Sequence, residues 1–151
     1  MPPPEPPSAL RGVVRDLHHI AIAVPDLAEA RPLYEAALGL PGSEVEHVAG
    51  QQVNVLVLSA GGQRIELIEP AGSESPISRF LDRRGQGLHH LAWRVDDCAA
   101  ALVHLAGKGI QLIHDTPQPG SHGTRVAFLH PKSTGGVLME IVEDPAEEPH
   151  E

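Results

Sequence analysis

The chain has 151 residues, of which 41% are hydrophobic and only 3% aromatic, and its formal net charge at pH 7 is -9. This length suits a single domain with an aliphatic core, and the negative charge argues against a nucleic-acid or anionic-membrane partner, since both require basic surface patches. The sequence contains no apolar run long enough for a membrane span, and its one cysteine, Cys98, cannot form an internal disulfide, so we expect a cytoplasmic protein.

The two ends of the chain are expected to lie outside the folded domain. Residues 1–13 are Pro-rich and lack the basic start and apolar stretch of a signal peptide, so they predict a disordered tail. A second short tail is expected at 146–151, which leaves one domain over 14–145.

The first half of this domain predicts a strand, a helix and three further strands. Asp26 is a suitable N-cap for the helix, and Gly61-Gly62 predicts a tight turn between the last two strands. The predicted bounds are a strand at 17–24, a helix to about Leu38, and strands at 43–49, 52–59 and 63–69.

A linker over 71–86 carries a short helix that begins at Pro76 and runs to about Arg83. The second half then follows the plan of the first. Its predicted elements are a strand at 87–95, a helix at 97–107, a strand at 110–114, a Pro/Gly loop at 116–123, and strands at 124–130 and 137–143.

The two halves also repeat specific residues. His90 follows His19 by 71 residues in matching histidine pairs, and Glu140 follows Glu66 by 74 residues in matching apolar strands. A unit of this length that occurs twice predicts one domain built from a duplicated module rather than a solenoid. The fold class is therefore α+β, with two paired βαβββ modules over about 16–70 and 87–145 whose open face forms a cup.

Alternation along the strands selects one histidine from each pair. His19 shares its strand face with Ala21 and Ala23, and His90 shares its face with Ala92, so both imidazoles have small neighbours and room for a ligand. His18 and His89 fall on the faces with larger apolar residues and are expected to belong to the core or to support the ligands.

Glu66 and Glu140 are carboxylates set among apolar residues, where an unpaired charge is costly to bury. Two neutral imidazoles and two carboxylates provide the ligands for one divalent cation. Mixed nitrogen and oxygen ligation with two open positions favours octahedral Co²⁺, Ni²⁺, Mn²⁺ or Mg²⁺ over a closed tetrahedral Zn²⁺ site, and Co²⁺ is preferred. A hydrogen-bonded structural histidine is the alternative for any single case, and the repetition of both residue types argues against it. Glu69 and Glu143, at strand ends, are expected to be solvated.

Over residues 16–145 the chain resembles the vicinal-oxygen-chelate superfamily and, within it, the methylmalonyl-CoA epimerases. The motifs that carry the resemblance are Leu17–Leu27, Ile65–Pro70 followed by Ser75-Pro76-Ile77, Gly87–His90, and His130-Pro131-Lys132 leading to Gly136–Glu140. The resemblance implies that His19, Glu66, His90 and Glu140 hold the metal in a homodimeric enzyme that acts on an acyl-CoA.

The implied reaction inverts C2 of methylmalonyl-CoA through a metal-chelated enolate, with one group removing the α-proton and another returning a proton to the opposite face. Glu140 is the preferred base. Some relatives carry a second glutamate at the position of Val55, where this chain has no acid. The proton donor on the opposite face is therefore left open between three candidates. We rank Glu66 first, and the others are a water molecule on the cation and Gln52.

The substrate-binding residues are weakly specified by the sequence. Lys132 and Ser133 lie in a Gly-rich loop that suits an anionic group of CoA. Arg125 is a second positively charged residue that could bind the same group. His122 is expected to border the acyl group. A flexible polar hairpin loop explains the same residues equally well. The rival functions are a glyoxalase I type lactoylglutathione lyase and a non-catalytic binding protein of the same fold.

Overall fold

The computed structural model describes residues 12–146 and confirms the α+β fold of two βαβββ modules. The tails expected at 1–13 and 146–151 lie, apart from residues 12, 13 and 146, outside the described residues. The strands are β1 (Val14–Ala23), β2 (Glu46–Val48), β3 (Val53–Ala60), β4 (Gln63–Pro70), β5 (Gly87–Val95), β6 (Gln118–Pro119), β7 (Arg125–Leu129) and β8 (Met139–Glu143), and the helices are α1 (Leu27–Arg31), α2 (Pro76–Arg84) and α3 (Cys98–Gly107).

Across residues 12–146 the eight strands form one curved sheet in the order β2-β3-β4-β1-β5-β8-β7-β6. The antiparallel pair β1–β5 lies at its centre, flanked by β4, which is parallel to β1, and by β8, which is parallel to β5. The two modules therefore meet edge to edge at their first strands, and a pseudo-twofold axis passes between β1 and β5.

The two faces of the sheet bury different side chains, because neighbouring strand residues point in opposite directions. On one face, Val24 and Leu67 pack with Leu27 of α1, and Ile141 packs with Leu102 of α3. On the other face, the small residues Ala21 and Ala23 pack with valines of β3 and with α2. This second face is the concave side of the cup.

Acidic side chains cap the first turns of α1 and α3. Asp26 accepts a hydrogen bond from the backbone N–H of Ala28, and Asp97 accepts one from Ala100, as expected of N-caps. The prediction that Glu69 and Glu143 are solvated is wrong. Glu69 accepts from the N–H of Leu27 at 2.8 Å and Glu143 accepts from the N–H of Cys98 at 2.9 Å, because the last strand of each module ends beside a helix N-terminus with unpaired donors.

The first helix changes its winding at Pro32. Residues Pro32–Ala37 form π-helical turns, in which the N–H of Leu38 donates to the carbonyl of Leu33 at 2.9 Å. Proline has no N–H with which to continue the α-helical ladder, so the bonding widens at this point. No helix within residues 12–146 is long and apolar enough to cross a membrane.

The prediction of a strand at 110–114 is wrong. This segment makes an isolated bridge between Leu112 and Leu129, and β6 forms later, at Gln118–Pro119. The N–H groups of Ile113 and His114 both point to the carbonyl of Phe128, at 2.9 and 3.3 Å. Two consecutive donors on one acceptor break the two-residue period of a ladder, although the segment still runs beside β7.

Candidate metal centre

The register of the central strands brings the two halves of the site together. His19 on β1 lies opposite Ala92 on β5, and Ala21 lies opposite His90, so each histidine faces an alanine of the other module. The flanking strands add the carboxylates, since Glu66 pairs with Ala21 and Glu140 pairs with Ala92. Both alanines are fully buried. Their small side chains leave the space between the strands to the imidazoles and carboxylates.

His19, His90 and Glu140 converge on one point. The Nε2 atoms of the two histidines are 3.3 Å apart, and Oε1 of Glu140 lies 3.2 Å from Nε2 of His19 and 3.4 Å from Nε2 of His90. Two ligand atoms that each lie about 2.1 Å from a shared cation are separated by about 3.0 Å at an octahedral angle and about 3.4 Å at a tetrahedral angle. The edges of this triangle therefore suit three ligands on one face of a metal ion.

Glu66 lies on the other side of the His19 ring. Its Oε2 atom is 3.3 Å from Nδ1 of His19, and it groups with His18 and His19 rather than with the triangle. The structure thus brings all four predicted ligands into two overlapping clusters that share His19. A single ion bound by all four residues requires the Glu66 side chain to turn toward Nε2 of His19.

The charges in these clusters are buried and unbalanced. All four side chains are buried. Burial by itself raises the pKa of Glu140, but hydrogen bonds from His19 and His90 hold that pKa well below its usual range. Burial likewise lowers the pKa of His19, and the charges of Glu66 and Glu140 raise it above its ordinary value. A positive charge between these two buried carboxylates and two imidazoles would stabilise the cluster, and a divalent cation would supply it.

A β-bulge in each central strand places the second histidine of each pair in the cup as well. Leu17 and His19 pair with the consecutive residues Trp93 and Ala92, which leaves His18 as an extra residue in β1. In the same way, His89 is the extra residue of β5, between the partners of Ala21 and Ile22. The prediction that His18 and His89 share the faces of the large apolar residues is wrong, because a bulge interrupts strict alternation.

The bulged histidines contact the predicted ligands through their Nδ1 atoms. Nδ1 of His18 lies 2.7 Å from Nδ1 of His19, and Nδ1 of His89 lies 2.8 Å from Nδ1 of His90. Burial is the main cause that lowers the pKa of His89 to about 3, so this ring is neutral at pH 7. The doubled histidine at the same point of both halves was the signal in the sequence for these contacts.

A cavity of about 470 Å³ opens over the cluster and contains all four predicted ligands in its wall. Gln52 also lines it, in a left-handed backbone conformation with φ of 54° that is uncommon for a residue other than glycine. Val55 lines the same cavity, so the position at which some relatives carry an acid faces the site with an apolar side chain.

The remaining predicted substrate residues lie farther out. His122 borders a neighbouring cavity of about 350 Å³, and its N–H donates to Glu46 at 2.8 Å. Lys132, Ser133 and Arg125 do not line either of these two cavities. The Oγ atom of Ser133 accepts from the N–H of Gln111, and Arg125 lies 3.9 Å from Glu143.

Comparisons with known proteins agree with this architecture. Residues 18–128 match the family described as the Glyoxalase/Bleomycin resistance protein/Dioxygenase superfamily. Mouse mitochondrial methylmalonyl-CoA epimerase is 42% identical over 126 residues, which cover 83% of this chain and 71% of the mouse protein. An ethylmalonyl-CoA/methylmalonyl-CoA epimerase of Cereibacter sphaeroides is 38% identical, with 83% and 95% of the two chains covered.

Solved structures give the same result. The crystal structure of methylmalonyl-CoA epimerase from Mycobacterium tuberculosis superposes with a TM-score of 0.84 at 37% identity, covering 88% of this chain and 90% of that one. A Streptomyces coelicolor methylmalonyl-CoA epimerase variant in complex with 2-nitronate-propionyl-CoA superposes with a TM-score of 0.85 at 33% identity, covering 90% and 99%.

Proposed function

Since the chain belongs to the methylmalonyl-CoA epimerase family of the glyoxalase superfamily, we propose that it inverts the configuration at C2 of methylmalonyl-CoA with the help of one divalent cation. The observation that carries this proposal is the triangle of His19 Nε2, His90 Nε2 and Glu140 Oε1, with edges of 3.2 to 3.4 Å at the floor of a cavity. Glu66 is the fourth ligand of the proposed site.

The α-proton of such a substrate is acidic because it lies between a thioester and a carboxylate. A cation held by His19, His90 and Glu140 would supply positive charge that stabilises the enolate left when this proton is removed. The residues of the chain then position both substrate oxygens and transfer protons at C2. The buried walls around the site exclude water from the enolate.

We assign the two proton transfers to Glu140 and Glu66. These carboxylates stand on β8 and β4, on opposite sides of the central β1–β5 pair, so a substrate held between them has one carboxylate toward each face of C2. Glu140 is the proposed base that takes the α-proton from one hand of the substrate, and Glu66, which must be protonated at the start of that half-reaction, donates its own proton to the other face of C2. The two roles are exchanged for the other hand of the substrate. Gln52, in the wall of the same cavity, is the next candidate for the second role.

The CoA portion is proposed to extend from the cavity mouth. Lys132 and Arg125 are proposed to provide positive charge for its phosphates and Ser133 to provide a hydroxyl, and His122, in the neighbouring cavity, is proposed to border the acyl group. These assignments rest on residue chemistry. Substitution of each residue by alanine tests them by its effect on KM for methylmalonyl-CoA compared with a CoA-free malonyl thioester.

We propose Co²⁺ as the preferred cation because the site offers both nitrogen and oxygen ligands and open positions for substrate; Ni²⁺, Mn²⁺, Mg²⁺ and Zn²⁺ are the alternatives. The proposal also includes a homodimer in the cytoplasm, on the likeness to the epimerases and on the buried free thiol of Cys98. Sedimentation equilibrium tests the dimer.

The deciding experiment removes and restores the metal. Chelated protein is expected to lose inversion of methylmalonyl-CoA, measured by exchange of the α-proton with deuterated solvent, and to regain it when Co²⁺ is added. Formation of S-lactoylglutathione from its hemithioacetal would instead identify a glyoxalase I type lyase. A purified protein without a bound divalent cation and without turnover would favour a non-catalytic binding protein.

A further inference from the structure

His114 is a cavity residue that the proposed mechanism does not use. It lies in the segment that runs beside β7, and together with Ile113 it lines the cavity that opens over the predicted metal ligands. The N–H of His114 donates to the carbonyl of Phe128 at 3.3 Å, and the N–H of Phe128 donates to Nδ1 of the His114 ring at 3.1 Å. Two contacts with one residue of β7 therefore hold both the backbone and the ring of His114.

The hydrogen bond from Phe128 fixes which ring nitrogen of His114 carries the proton. A nitrogen that accepts a hydrogen bond has no proton of its own, so the neutral His114 ring carries its proton on Nε2. The two nitrogens lie on different edges of the ring, so this N–H group points away from the backbone of β7. Within residues 12–146 no group accepts a hydrogen bond from it. His114 thus offers an unused donor at the wall of the cavity.

The ring of Phe128 contacts both His114 and the predicted metal ligand His90. It meets the His90 ring edge-on, with 5.1 Å between centroids, and its centroid is 5.9 Å from that of the His114 ring. In the part of the chain that the structure describes, the two histidine rings do not contact each other. His114 is therefore placed to contact a part of a bound ligand other than the atoms on the cation.

The segment that carries His114 also meets the loop proposed to bind the phosphates of CoA. The N–H of Gln111 donates to Oγ of Ser133 at 2.8 Å, and the carbonyl of Gln111 accepts from the N–H of His130 at 2.8 Å. Gln111 is three residues before His114, a separation of at most about 11 Å along the chain. A substrate that reaches both the cation and this loop must therefore pass along the segment that carries His114.

We propose that the Nε2–H group of His114 donates a hydrogen bond to the first amide carbonyl in the pantetheine arm of the acyl-CoA substrate. In this arm two methylene groups separate the thioester sulfur from the amide, and its carbonyl is the first strong acceptor after the thioester oxygen. His114 is then a specificity-determining residue, because one placed donor distinguishes an acyl-CoA from a thioester with an alkyl arm. The inference rests on the proposed function, since that function puts the acyl end at the cation.

The matching residue of the first module separates the proposed role from a structural one. Ser43 and Val57 precede His114 and Phe128 by 71 residues and make the same two contacts. The N–H of Ser43 donates to the carbonyl of Val57 at 2.8 Å, and the Oγ of Ser43 accepts from the N–H of Val57 at 2.9 Å. The Ser43 hydroxyl proton is used locally, on the carbonyl of Glu44. A serine therefore suffices to hold the segment against the strand, and the histidine adds the Nε2–H group.

The test compares two ligands that differ in the amide. Malonyl-N-acetylcysteamine thioester carries the first amide of the pantetheine arm, and malonyl S-pentyl thioester has an arm of the same length without it. Neither ligand has a stereocentre to invert. Calorimetric titration of the full-length Co²⁺-loaded protein gives the ratio of the two affinities. This ratio should favour the amide ligand by about 3- to 10-fold more in the wild-type protein than in His114→Ser, the size of one hydrogen bond.

Three comparisons separate this contact from folding and packing. His114→Ser keeps an acceptor for the N–H of Phe128, so its affinity for the S-pentyl ligand and its melting temperature should stay close to those of the wild type. His114→Gln retains an N–H donor and should keep most of the affinity ratio. His104→Ala removes an exposed histidine of α3 that lines neither cavity, and it should leave the ratio unchanged.

An affinity ratio that is the same in the wild-type protein and in His114→Ser overturns the inference. If that variant fails to fold, ¹H–¹⁵N spectra of the Mg²⁺-loaded wild-type protein decide the point. The Nε2 signal of His114 should shift with the amide ligand and not with the S-pentyl ligand, and equal shifts overturn the inference. A wild-type protein that binds neither ligand overturns both proposals. A protein with the expected ratio that does not invert methylmalonyl-CoA overturns the proposed function and leaves the contact with the arm intact.

Discussion

In the second module, Oε1 of Glu140 lies within 3.4 Å of the Nε2 atoms of both histidines, whereas in the first module Glu66 meets His19 at Nδ1, 3.3 Å away. The strands that carry these carboxylates are equivalent, since each glutamate pairs with the buried alanine of the neighbouring strand. What differs is the surroundings of the histidines. His18 engages Asp144 and Arg64, while His89 packs against Phe80. Duplication therefore fixes where the backbone places each carboxylate, while the contacts of the neighbouring histidines differ between the two modules.

The largest expected effect comes from Glu140, the carboxylate that touches both histidines. Glu140→Ala is expected to lower turnover by at least about 10³-fold, since it removes the proposed base, and to weaken Co²⁺ binding as well. Steady-state kinetics and calorimetry measure the two effects. Glu143→Gln is the matched control on the same strand; it should keep turnover and lose stability only at the start of α3. Unchanged epimerisation by Glu140→Ala would remove Glu140 from the mechanism.

Substitution of Glu66 is expected to lower turnover much more than Co²⁺ affinity, whereas substitution of Glu140 lowers both. Glu66→Gln keeps an oxygen donor for the cation but loses the ability to carry a proton. We therefore expect turnover to fall by about 10²-fold, while Co²⁺ affinity changes by less than about tenfold. If turnover in this variant equals that of the wild type, the second proton transfer belongs to another group, and Gln52→Ala becomes the next variant to measure.

The two alanines between the ligands offer a symmetric pair of substitutions. Ala92→Val and Ala21→Val each add two methyl groups at a fully buried position, which should cost about 1–3 kcal/mol of unfolding free energy by urea denaturation. Ala92 neighbours His19 and Glu140, both in the triangle, whereas Ala21 neighbours His90 and Glu66. Co²⁺ affinity should therefore fall more in Ala92→Val. Equal losses would mean that Glu66 belongs to the binding site as closely as Glu140.

The smallest effect is expected at Glu46, a first-module residue without a matched acid in the second. It accepts from the N–H of His122, so Glu46→Ala should cost about 1 kcal/mol of stability in thermal denaturation. Glu46 lines neither of the two cavities, so we expect kcat/KM to change by less than about threefold, the size of an ordinary surface substitution. A loss of tenfold or more would identify Glu46 as the missing second acid.

The strand and helix order was predictable because the apolar pattern and turn residues repeat in both halves. The Asp26 N-cap and the Gly61-Gly62 turn are local features, and the structure has both, with Gly61 at φ of 65°. The segment 110–114 was mispredicted because that prediction used the local apolar pattern alone. Its apolar residues fit a strand, and only its contacts with β7 show that the ladder is broken there.

The sequence by itself determined the duplicated fold and the faces of His19, His90, Glu66 and Glu140, because side-chain alternation is a property of the local backbone. The tertiary structure decided the rest. The bulges at His18 and His89 arise where two strands with unequal residue counts pair across the module boundary. The contact between His18 and Asp144 joins residues 126 positions apart. No local pattern encodes such a contact, because it exists only when the end of the second module folds back over the start of the first.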